Sequence, residues 1–127
     1  EIAELWNNLP EQDAFLESMA ASAQSVADYF GDNILYINVM NNLSIDCDCD
    51  SNPHDPEMKD IGILASTDPV ALDQACLDLV YAVKPTEGND NRPLVNRIES
   101  LHGRHTVDYA ETIGLGSKNY ELVVLDT

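Results

Sequence analysis

Ile61-Gly62-Ile63-Leu64-Ala65-Ser66-Thr67-Asp68-Pro69-Val70-Ala71-Leu72-Asp73-Gln74-Ala75-Cys76 reads as a short apolar strand that turns directly into a capped helix. Branched residues over 61–66 favour extended backbone. Asp68 then takes the N-cap, where a side-chain oxygen accepts from the first free backbone N–H groups. Pro69 suits the first turn because it has no N–H to leave unpaired. Leu72, Ala75, Cys76, Leu79, Val80 and Val83 recur at helical spacing and mark the face expected to be buried. A strand followed at once by a helix points to an α/β layer structure.

The flanking sequence extends that pattern. Upstream, Phe15, Met19, Ala23, Val26 and Phe30 repeat at three- and four-residue steps, with Ala20 and Ala27 beside them, so this helix is expected to bury that stripe. Pro10 suits its start and Gly31 its end. Ile34 to Met40 is branched and aromatic between polar turns, the pattern of a buried strand. Downstream, residues 84–93 have loop composition. A helix over about 93–101 and a shorter one from Thr106 to Ile113 follow, the latter closed by Gly114 and Gly116. Tyr120-Glu121-Leu122-Val123-Val124-Leu125 reads as a last strand. The expected fold is a single α/β domain over 1–127, layered, with a small mixed sheet.

The 127 residues fit one core. Twenty-three acidic against six basic side chains give a formal charge of −17. That surface repels phosphate backbones and anionic lipid, so nucleic acid and membrane are not expected partners. No apolar run approaches the roughly 20 residues of a membrane span, and no signal peptide is visible. Three cysteines without a disulfide framework favour a reducing compartment, the cytoplasm, with free or metal-bound thiols. The chain starts at Glu1 rather than methionine, which leads us to expect a fragment or processed product.

The densest chemistry lies in Asp46-Cys47-Asp48-Cys49-Asp50-Ser51-Asn52-Pro53-His54, directly after the Ile34–Met40 strand. In an extended segment Cys47 and Cys49 share one face and Asp46, Asp48 and Asp50 the other. Two thiolates on one face can share zinc or iron, with His54 closing in from the following turn. A tetrahedral site needs a fourth donor, and Cys76, His102 or His105 are the soft donors left. Buried, inert cysteine is the competing reading. Asp46, Asp48, Asp50 and Glu57 also match positions 1, 3, 5 and 12 of a calcium loop. Ser51 stands where glycine is demanded, and Pro53 where a short pairing strand forms, so an EF-hand is not expected. His102 and His105 read either as paired ligands or as loop histidines at a helix start. Gly-rich phosphate loops, a nucleophile elbow, H-E-x-x-H and C-x-x-C-x-x-C are all missing from the sequence.

Asp46-Cys47-Asp48-Cys49, the string Asp60 to Cys76, and Tyr109-Ala110-Glu111-Thr112-Ile113-Gly114-Leu115-Gly116 with Tyr120-Glu121-Leu122 together resemble the bacterial and archaeal family called domain of unknown function 362. The resemblance runs from about residue 15 to 125. Members similar to this chain commonly carry a ferredoxin-like insert whose cysteines hold four-iron four-sulfur clusters. The resemblance therefore implies the C-terminal domain of an iron–sulfur protein, with the clusters in an upstream region absent here and the upstream part of the parent chain as partner. Within this chain it implies a metal or redox role at the Asp-Cys-Asp-Cys segment, with Cys47, Cys49 and His54 as ligands to zinc or iron. The alternative is a non-catalytic scaffold completing the fold around the upstream module, and exposed apolar surface makes a homodimer a further expected state. An enzyme for a small anionic substrate is disfavoured by the acidic charge.

Overall fold

A computed structural model describes residues 11–46, 50–51 and 54–125. Among them lie four helices and two strands: α1 (Gln12–Phe30), β1 (Tyr36–Met40), β2 (Gly62–Ser66), α2 (Pro69–Ala82), α3 (Arg92–Ser100) and α4 (Arg104–Thr112). Pro10 lies outside the described residues.

β1 and β2 pair antiparallel, with Tyr36 opposite Ser66 and Val39 opposite Ile63. Tyr36, Asn38 and Met40 turn toward α2, which packs on both strands, whereas Ile37 and Val39 turn outward. α4 packs on α2, and α1 packs on α4. The order is thus sheet, α2, α4, α1. One core cluster joins Ala20, Val70, Val107 and Ala110 across the helical layers. A second joins Met40, Met58 and Val80 between the sheet and α2, with Val95 and Ile98 of α3 packed against it. Asn91, buried, donates from Nδ2 to the Val80 carbonyl at 2.8 Å and ties the start of α3 to the end of α2.

Four expectations need correction. The sheet is antiparallel among the described residues, not mixed, because the 62–66 strand runs back alongside Tyr36–Met40. β1 is half-buried rather than buried: Ile37 and Val39 are each 57% exposed, for nothing described covers the sheet's outer face. Tyr120–Leu125 is described but forms no strand; Val124 and Leu125 stand in the open without a neighbouring edge to pair with. Finally, the expected α1 stripe is buried only in part: Ala20 is buried and Phe15 and Ala27 are half-buried, but the rest faces outward. Leu16 and Ala20 are the buried residues, while Met19, Val26 and Phe30 are exposed. The small Ala20, 1% exposed, lets α4 approach closely where a larger side chain would hold it off.

Local capping follows the sequence closely. Oδ1 of Asp68 accepts from the N–H groups of Val70 and Ala71 at 2.9 and 3.0 Å. Gly114, at φ +83°, ends α4 in a Schellman turn, in which Leu115 N–H donates to Ala110 and Gly114 N–H to Glu111.

Candidate functional site

β1 delivers the chain into the acidic thiol segment, and the segment's base is pinned on both sides. On the entering side, Ser44 Oγ donates to the Asp46 carbonyl at 2.7 Å. Arg97 of α3 grips the Asp46 carboxylate as a fork, Nη1 to Oδ1 at 2.8 Å and Nη2 to Oδ2 at 3.3 Å. On the leaving side Met58 is buried, Asp90 N–H donates to the Glu57 carbonyl at 2.8 Å, and Lys59 N–H donates to Asn89 Oδ1 at 2.9 Å. Ile61 N–H then donates to the Met40 carbonyl at 2.9 Å, closing the loop onto its own strand.

Of the expected ligands, Cys47 and Cys49 lie outside the described residues. His54 is exposed near the leaving side. Among the described residues, no group of three or more histidine, cysteine or carboxylate side chains is arranged to hold a metal ion. Two of the fourth-donor candidates are engaged elsewhere: His102 Nδ1 lies 2.8 Å from Asp13 Oδ1, and His105 Nε2 lies 2.9 Å from Glu17 Oε1. The two histidines thus serve as partners of α1 and not as a ligand pair. By side-chain chemistry alone, two thiols and an imidazole are donor types that zinc and iron sites use. The chain's three cysteines fall short of the four thiolates of a four-iron four-sulfur cluster.

Cys76, the remaining soft donor, lines an open cavity of about 280 Å³ with Met40, Asp73, Leu77, Val80 and Val107. Asn38 Nδ2 donates to Asp73 Oδ1 at 2.9 Å and to the Cys76 sulfur at 3.4 Å. Burial pushes the Cys76 thiol up; the Asn38 hydrogen bond opposes that shift and the Asp73 charge adds to it. Its thiol is therefore held neutral and is a weak nucleophile. A larger open concavity, about 590 Å³, is bordered by Pro56, Glu57, Pro85, Glu87, Asp90 and Arg92. Its one cation, Arg92, is already held by Asp90 at 2.7 Å, which lowers the Asp90 carboxyl to about 2.

Two relationships here carry no signal in the sequence. Arg97 as the partner of Asp46 is 51 positions away, and Asn38 as the partner of Cys76 is 38 away. Asp68 is the reverse case: an N-cap explains one of its oxygens, yet Oδ2 also accepts from Ser117 N–H at 2.9 Å, anchoring the glycine-rich turn after α4.

Among known families, the model of the domain of unknown function (DUF362) matches residues 3–78. The chain belongs to that family. The match spans the thiol segment, the β1–β2 hairpin and most of α2, whereas Arg97, Asn89 and Asp90, which anchor the segment's base, lie beyond it. No curated protein and no solved structure gives a match. No helix among the described residues is long and apolar enough to cross a membrane.

Proposed function

We propose that this DUF362 chain carries a metal or redox site on the loop after β1, with Cys47 and Cys49 as thiolate ligands to zinc or iron and His54 as the third donor. The observation that carries this reading is the double anchoring of the loop. Arg97 holds Asp46, next to the first thiol, and buried Met58 holds the other end. A ligand loop closed at both ends loses less conformational freedom when it binds a metal than a free one does. When bound, the metal supplies Lewis acidity or a one-electron couple at an open coordination position. Cytoplasmic conditions keep such thiols reduced. In a longer parent chain with an upstream ferredoxin-like module, the redox form of this reading is electron exchange with that module's four-iron four-sulfur clusters.

Thiol titration with and without a strong chelator tests this directly. Cys47 and Cys49 should be blocked before chelation and react afterwards, while Cys76 stays slow throughout. Two thiols that titrate freely before chelation would overturn the reading.

A second reading, a scaffold that completes a larger fold, is favoured by the two apolar faces at opposite ends of the layer order. Ile37, Val39 and Ile63 face outward from the sheet, and Met19, Val26 and Phe30 from α1. Its signature is inert thiols at Cys47 and Cys49 together with binding to the upstream part of the parent chain through those faces.

A further inference from the structure

The first two turns of α1 rest on the elbow between α3 and α4 through polar contacts. Asp13 and Glu17 stand one helical turn apart and meet His102 and His105, also on neighbouring turns of their elbow, at 2.8 and 2.9 Å. Beside them Gln12 Nε2 donates to the Leu101 carbonyl at 3.0 Å. His102 occupies a left-handed backbone, φ +54°, at the Schellman position after α3, where glycine is the usual residue. From Ala20 onward the grip changes in kind. Ala20 is buried against Val107 and Ala110, and Gln24 Nε2 donates to the Ile113 carbonyl at 2.7 Å.

We propose that these paired contacts form a pH-gated latch: imidazolium at His105 clamps Glu17 beside the His102–Asp13 contact and holds residues 12–19 on the elbow, and loss of the His105 proton loosens these turns while Ala20 onward stays docked. The groups facing the imidazoles are Asp13 and Glu17 from α1 and Asp108 and Tyr109 from α4, with the Tyr109 ring 6.3 Å from that of His105. Arg104, a cation on the same elbow, points instead to the Tyr81 ring of α2 at 5.5 Å and to Glu99 of α3 at 3.9 Å. Carboxylates thus dominate the field at the latch.

The sign follows from those neighbours. The Glu17 hydrogen bond, aided by the charges of Asp13, Glu17 and Asp108, raises His105 above its ordinary value, with burial opposing. The clamp is therefore complete below the ordinary imidazole range and fades as pH rises through the raised folded value. The His102 hydrogen bond lowers Asp13, so the acid side of the clamp persists until pH falls through that depressed value. A neutral imidazole still donates one N–H, so the alkaline change is a loosening and not a detachment.

Amide hydrogen exchange, expressed as protection factors to remove the intrinsic pH dependence, tests the latch at about pH 6 and about pH 8.5. Protection at residues 16–19 should fall roughly two- to fivefold between the two, while residues 21–27 hold theirs. The H105Q variant, which keeps an amide donor but no charge, should show the lower protection at both pH values. If that variant does not fold, D13N/E17Q carries the same expectation. No step in the unsubstituted chain, a step shared equally along α1, or a step persisting in the variant that folds would each overturn the proposal.

Discussion

A β-carbon placed on Gly116 would overlap the Asp68 carboxylate, inside 3 Å of its Cγ, so Gly116 is the residue that lets the turn after α4 lie against the cap of α2. The carboxylate has little room to give way. Oδ1 is held by two N–H groups of α2 and Oδ2 by Ser117 N–H. Gly116→Ala should therefore destabilise the chain by about 1–3 kcal/mol, the usual cost of overpacking a fixed site. Urea unfolding measures this, and an unchanged midpoint would show that the turn simply moves aside.

Asp68→Ala removes the same junction from the other side. It should cost about 1–2 kcal/mol, at the upper end for an N-cap because the Ser117 contact goes with it. Asp68→Asn should recover part of the loss, and chemical denaturation of the three proteins gives the order.

Arg97→Ala frees the Asp46 carboxylate at the entrance to the thiol segment. If that anchor orients Cys47, metal retention against a competing chelator should weaken about tenfold, the lower end of what supporting residues around a metal contribute. Folding stability should change little, because Arg97 is exposed.

Stability should decline in acid. Arg92 holds the Asp90 carboxyl at about 2, below its ordinary value of 3.8. That contribution is intact above the ordinary carboxylate range and disappears as pH falls toward 2. In a series of urea midpoints, Asp90→Asn should flatten this acid limb.

Outward-facing sheet residues should tolerate charge. Ile63→Lys, at a position 71% exposed, should change stability by no more than about 0.5 kcal/mol. Under the scaffold reading the same substitution abolishes binding to the upstream part of the parent chain, which a pull-down with that part would report.

Short-range chemistry was legible in the sequence. Asp68 and Pro69 marked the start of α2, Gly31 the end of α1 and Gly114 the end of α4, because caps depend on neighbours within a few residues. What failed depends on distant partners. α1 carries apolar residues on two sides, and spacing alone does not say which side meets α4; the small Leu16–Ala20 side does. Tyr120–Leu125 has strand composition, but a strand exists only where an edge pairs with it. The candidate site divides in the same way. Its donors were visible as a local cluster, whereas the Arg97 fork and the carboxylate partners of His102 and His105 join residues 51, 89 and 88 positions apart.

Metal content per chain, measured by inductively coupled plasma mass spectrometry on freshly purified protein beside a C47A/C49A variant, tests the central claim most directly. The account predicts roughly one equivalent of zinc or iron in the unsubstituted chain and its loss in the variant. No metal in either protein, or equal metal in both, would contradict it.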